Sequence, residues 1–122
     1  MGYIKVETNL PAESIPIGAV KELVRALKPC TYKDMSGWGR SIDFGVTIHC
    51  SGLDIESAVP SARVTCFYLP KESYFSNPEE DRGEWRRKTE ETLTHALHMM
   101  LEIPPERCCF VFAKAPYGAL NK

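Results

Sequence analysis

Apolar and polar residues alternate from Tyr3 to Thr8, with Ile4 and Val6 on one face and Lys5 and Glu7 on the other, the period of two that marks a half-buried strand. Asn9, Leu10 and Pro11 then form a turn. Beyond Ser14 the period changes: Ile17, Val20, Leu23, Val24 and Leu27 recur at helical spacing, and Pro16 suits a first helical turn, where no amide partner is needed. This helix ends by Pro29. From Cys30 to Arg40 the periodicity is lost, and Gly37 and Gly39 flank Trp38, which predicts a loop. Ile42, Phe44, Val46, Ile48 and Cys50 then alternate with polar or small residues as a second strand, and residues 51–60 are a connection. A third strand runs from Ala62 to Leu69 after Pro60.

A polar stretch leads to a second helix start, with Asn77 as cap, Pro78 at the first position and Glu79 and Glu80 behind it; Gly83 delays regular helix. Trp85, Thr89, Leu93, Ala96, Leu97, Met100 and Leu101 lie on one helical stripe, while Arg86, Arg87, Lys88, Glu90 and Glu91 face away. Pro104 and Pro105 stop the helix, and Cys108 to Ala113 reads as a fourth strand, apolar on both faces. The order predicts an α/β fold: two β-α-β repeats forming a four-stranded mixed sheet, both helices on one face, in a single domain over residues 1–122. The second and fourth strands carry apolar residues toward both faces, so a homo-oligomer with the open faces turned together is expected.

Composition narrows the function classes. Of 122 residues, 43% are hydrophobic and 25% charged, and the formal net charge is −1, so no positive field draws in phosphate backbones or anionic lipid, and nucleic acid is not an expected partner. Five cysteines form no C-x-x-C pair and cannot close a complete intrachain set. Cys50, Cys66, Cys108 and Cys109 fall in strand-like runs and read as small buried hydrophobes. The start MGYIKVETNL has no apolar stretch of a signal peptide, and no window approaches the roughly 18 apolar residues of a membrane span, so cytosolic synthesis without membrane insertion is expected.

Thr8-Asn9-Leu10-Pro11, three residues, then Ile15-Pro16-Ile17-Gly18 resembles the opening of the macrophage migration inhibitory factor and D-dopachrome tautomerase family, Thr-Asn-Val/Leu-Pro, three residues, Val-Pro-x-Gly. Leu101-x-Ile103-x-Pro105-Glu106-Arg107 is similar to the turn before that family's fourth major strand. The resemblance implies a homotrimer whose sheets surround a channel, with keto-enol tautomerisation of small aromatic keto acids, no cofactor and no metal, and a leaderless cytokine role outside the cell. It also implies a catalytic N-terminal proline, a secondary amine acting as base, and Gly2 stands at that position. If Met1 stays on, the amide nitrogen of Gly2 cannot serve. Lys33 falls on the family's substrate-binding lysine, within Tyr32-Lys33-Asp34 where the family has Gly-Lys-Pro; its alternative is a solvated loop lysine. Leu69 aligns with the residue whose backbone lines the same pocket, and Cys109 and Val111 stand where the family has a substrate-contacting tyrosine and asparagine. Ser61 and Val64 replace the family's redox C-x-x-C.

Other constellations have structural readings. His95 and His98 stand three apart on the second helix with no third ligand at convincing spacing, and read as surface or boundary residues. Cys30 near Lys33 is a candidate nucleophile without a paired histidine in sequence. Tyr32, Met35 and Trp38 form either a pocket rim or a loop anchor. The residues and the resemblance together predict a homotrimer that acts on a protein receptor or ligand, cytokine-like, with weak or lost tautomerase activity. The alternative is an active tautomerase using the Gly2 amine as base and Lys33 as anion binder; an unrelated metabolic α/β domain requires the motif match to be chance.

Overall fold

A computed structural model describes residues 2–33, 39–40, 43–50, 59–67 and 78–113, with the backbone alone at residues 32, 33, 39, 40 and 78. Strand β1 spans Gly2–Thr8, and its even positions Ile4, Val6 and Thr8 are buried while Tyr3, Lys5 and Glu7 are partly exposed, as the alternation predicts. Helix α1 spans Ala19–Leu27, two short strands β2 (Tyr32–Lys33) and β3 (Gly39–Arg40) form an antiparallel hairpin, and β4 covers Phe44–Cys50. Strand β5 (Ala62–Cys66), helix α2 (Pro78–Leu101) and strand β6 (Cys108–Phe112) complete the order.

The sheet runs β4-β1-β5-β6. Strands β1 and β4 are parallel, as are β5 and β6, and the two pairs meet antiparallel at β1 and β5. Each β-α-β unit is thus intact, and the sheet is mixed because the second unit enters reversed. Helices α1 and α2 share one core with the even positions of all four strands, including Ile4, Val6, Val46, Val64 and Cys66. Trp85, Leu93, Leu97 and the buried hydroxyl-bearing Thr89 line the inner face of α2 at four-residue intervals, which keeps one stripe against the sheet. Each fully buried large side chain contributes about 1.5–3 kcal/mol through lost apolar surface.

Several expectations need correction. Helix α1 begins at Ala19, not near Pro16, because Gly18 takes a left-handed φ of 88° that only a residue without Cβ adopts freely. Ile17 is therefore off the buried stripe and wholly exposed. Gly83 lies inside regular helix, which runs from Pro78 without delay. The outward positions of β4 are Gly45, Thr47 and His49, so that strand is apolar toward the helices only. Cys66 is buried, but Cys50 and Cys109 are exposed and Cys108 half-buried, since the first closes a strand and the others open an edge strand. Asn77, Trp38, Met35 and the end of the third strand at Leu69 lie outside the described residues.

The segment that carries the Thr-Asn-Leu-Pro pattern ties two strands together. The Thr8 hydroxyl donates to the Ser61 carbonyl at 2.7 Å and accepts the Leu10 amide at 3.2 Å. The Asn9 side chain donates to the Val59 carbonyl and accepts the Ser61 amide, both at 2.9 Å. This clasp fixes the end of β1 against the entry to β5, and so sets the antiparallel register on which the sheet depends.

Candidate functional site

Gly2 opens β1 and is buried, and its nitrogen donates to the Asp43 carbonyl at 2.9 Å, extending the ladder between β1 and β4. Lys33 is placed only by its backbone, in β2 opposite Gly39, and Leu69 lies outside the described residues. Cys109 and Val111 sit on β6 and are exposed, with Val111 showing 45% of its surface. Odd positions of the sheet face away from the helices, so Cys109 and Val111 belong to the open face, whereas Gly2 belongs to the covered one. Strand β5 also intervenes, for Val111 lies opposite Thr65 and Thr65 opposite Lys5. Within one chain, Gly2 is therefore not brought together with Cys109 and Val111.

The open face has a graded chemistry. At the Gly2 end, Tyr3 and Phe67 stack with ring centroids 5.7 Å apart. Next to them the Tyr3 hydroxyl meets the Thr47 hydroxyl at 2.7 Å, and Thr47 meets Nε2 of His49 at 3.1 Å. Farther along, Glu7 lies opposite both His49 and Arg63 and forms a 3.5 Å ion pair with Arg63. Glu7, Arg63, Arg107 and Cys109 help line a cleft of about 270 Å³ at this end of the sheet. Sequence reasoning missed Tyr3, Thr47, His49 and Arg63; the alternation puts each on an outer face, but only the strand order and register make them neighbours.

The remaining candidates resolve into structural roles. The Cys30 thiol is buried, 3.4 Å from the Thr92 hydroxyl, so it packs between α1 and α2. His95 and His98 are exposed, and a ring nitrogen of His98 lies 3.2 Å from the Ile103 carbonyl just past the end of α2. Among the described residues, no three His, Cys, Asp or Glu side chains are grouped to hold a metal. Both histidines help line a cleft of about 460 Å³ between α2 and β6, with Glu91, Cys108 and Phe110. Burial pushes the Cys108 thiol above the usual thiol range, and the charges of Cys109 and Glu106 add to the rise. Trp85 and Phe112 meet edge to face with ring centroids 5.9 Å apart, and the Arg86 guanidinium lies over the Phe112 ring 4.7 Å from its centroid, which anchors β6 to α2.

No family model and no curated protein matches the sequence. Solved structures do match. The macrophage migration inhibitory factor of Trichinella spiralis superposes with a TM-score of 0.64 at 17% identity, over 92% of this chain and 88% of that one. Its homologue from Prochlorococcus marinus gives 0.62 at 15% identity, over 93% and 89%. The Toxoplasma gondii macrophage migration inhibitory factor gives 0.60 at 13%, over 95% and 92%. The chain has the macrophage migration inhibitory factor fold. The tautomerase-like architecture expected from the opening motif is thereby shown, as a divergent version at low identity. In this inhibitory-factor fold, the half-turn of sequence with the clearest resemblance is the clasp at Thr8 and Asn9, while Gly2, Cys109 and Val111 depart from the family's pattern.

Proposed function

We propose that this chain works as a homotrimer of the inhibitory-factor type that binds a protein partner or ligand, cytokine-like, with weak or lost keto-enol tautomerase activity. The observation that carries the reading is the nitrogen of Gly2: it is engaged in the sheet ladder through the Asp43 carbonyl. With Met1 attached this nitrogen is a peptide amide, whose lone pair is delocalised into the preceding carbonyl, so it donates to Asp43 and cannot act as a base. No side chain at position 2 fixes an alternative direction. Cys109 and Val111 add to the case, because neither offers the hydrogen bond that a tyrosine or asparagine gives. The assembly is supported by the open face at the sheet edge, where Val111 of β6 presents apolar surface for a neighbouring copy to cover.

A second reading, an active tautomerase using the Gly2 amine as base and Lys33 as anion binder, is favoured by one observation: Gly2 is buried at the start of β1, in the water-poor setting an amine base requires. Phenylpyruvate tautomerisation decides between the two, measured on protein whose N-terminal residue has been read by mass spectrometry, beside Gly2→Pro and Lys33→Ala. The expected result is negligible turnover by the parent. Turnover by the parent that disappears in Lys33→Ala overturns the binding-protein reading. Sedimentation giving a stable monomer at micromolar concentration overturns the trimer.

A further inference from the structure

The side chains of Tyr3, Thr47 and His49 form an unbroken hydrogen-bond chain across β1 and β4 on the open face, 2.7 Å from phenol to hydroxyl and 3.1 Å from hydroxyl to imidazole Nε2. A hydroxyl in the middle of such a chain has one proton and two acceptor lone pairs, so it donates to at most one of its neighbours. The direction of the whole chain is then set at its ends. Phenol is a good donor and a poor acceptor, so with neutral imidazole the favourable order is Tyr3 donating to Thr47 and Thr47 donating to Nε2, with the imidazole proton on Nδ1. Protonated imidazole carries a proton on both nitrogens and accepts nothing. Nε2 must then donate to Thr47, which releases the Thr47 proton from the imidazole and leaves the phenol oxygen as its acceptor within the chain.

We propose that Tyr3, Thr47 and His49 are a proton-switched hydrogen-bond chain, in which charging His49 turns the Tyr3 hydroxyl from a donor committed to Thr47 into a donor free to face outward. The freed O–H lies beside the Phe67 ring, on a half-buried platform, and would recognise an acceptor oxygen of carbonyl or carboxylate type on a planar group. With His49 neutral that donor is withdrawn. Among the described residues, the charged groups facing the chain are Glu7, opposite His49, and Lys5, opposite Thr47, both on β1, with Arg63 of β5 paired to Glu7; Asp43 precedes β4 on its own strand. The switch operates in the single chain and does not rest on the proposed assembly or turnover.

The test is nitrogen-15 NMR of the His49 ring in the folded parent, over a pH series that carries the ring from neutral to charged. The expected result at the higher pH is the Nδ1–H tautomer, opposite to the preference of a free histidine side chain, and Thr47→Val should return His49 to the Nε2–H form. Neutral His49 already in the Nε2–H form overturns the proposal, and that reading needs no variant. The tyrosine Fermi doublet in Raman spectra, taken as parent minus Tyr3→Phe, should move from the intensity ratio of a donating phenol to that of an accepting one as pH falls. A ratio that stays constant overturns the proposal as well.

Discussion

Replacing Thr8 with valine is the sharpest test of how the clasp holds the fold. The side chain is 1% exposed, and valine matches its shape while removing the hydroxyl. Two bonds vanish together: the 2.7 Å donation to the Ser61 carbonyl and the 3.2 Å acceptance from the Leu10 amide. A fully buried group left unpaired costs about 1–3 kcal/mol, and Leu10 and Ser61 are only half-buried, so the lower end applies to each. The additional buried methyl returns roughly 0.8 kcal/mol at most. The net cost is about 1.5 kcal/mol, a fall in melting temperature of about 5–7 °C for a domain of this size. Urea unfolding followed by circular dichroism should show the midpoint lowered with the slope unchanged. Because Asn9 holds the same segment through Val59 and Ser61, Thr8→Val and Asn9→Ala should be less than additive, with a coupling of about 0.5 kcal/mol or more. A Thr8→Val protein within about 0.5 kcal/mol of the parent, or strictly additive costs, would refute the view that the clasp sets the register.

Gly83 is a helix-interior residue with open space around a would-be Cβ, so Gly83→Ala should stabilise by about 1 kcal/mol in the same unfolding assay. Leu97→Ala, at a wholly buried position of the α2 stripe, should cost about 2–5 kcal/mol, while Met99→Ala, 67% exposed on the same helix, should stay within about 0.5 kcal/mol. The raised Cys108 thiol predicts two outcomes. Alkylation mapped by mass spectrometry near pH 8 should label Cys109 ahead of Cys108, because the thiolate is the nucleophile and Cys108 holds less of it. For stability, the folded chain keeps the Cys108 proton at pH values where the unfolded chain has lost it. The contribution is therefore present below the unfolded thiol value and fades as pH rises past about 8.5 toward the raised folded value; Cys108→Ala should flatten that decline.

The strands and the second helix were legible because each buries one face only, and one-sided burial leaves a period in the sequence: two for Tyr3 to Thr8, near four for Trp85 to Leu101. The start of the first helix was not. Ile17 fits the helical spacing, but Gly18 sets a left-handed cap and leaves Ile17 in solvent, and periodicity cannot tell an apolar residue that is buried from one that is merely apolar. Cys50 and Cys109 mislead for the same reason, being weakly polar side chains at a strand end and on an edge strand. The chemistry of the open face was hidden at a different level. Tyr3, Thr47 and His49 are far apart in sequence, and only the parallel pairing of β1 with β4, with Lys5 opposite Thr47 and Glu7 opposite His49, puts their side chains in one line.

The motif that reveals the family likeness and the residues that would perform the family's chemistry occupy different positions, and the structure explains why one says little about the other. Thr8 and Asn9 spend their polar atoms on Val59, Leu10 and Ser61, all backbone groups of the same chain. Those bonds are complete whatever stands at Gly2, Lys33, Cys109 or Val111. A chain can therefore close the clasp, pair its four strands and superpose on solved inhibitory factors while the Gly2 nitrogen serves only the sheet ladder through the Asp43 carbonyl. Likeness at the clasp is evidence for register and hence for fold. Turnover is a separate question, decided by the groups that would face a substrate and not by the bonds that close the clasp.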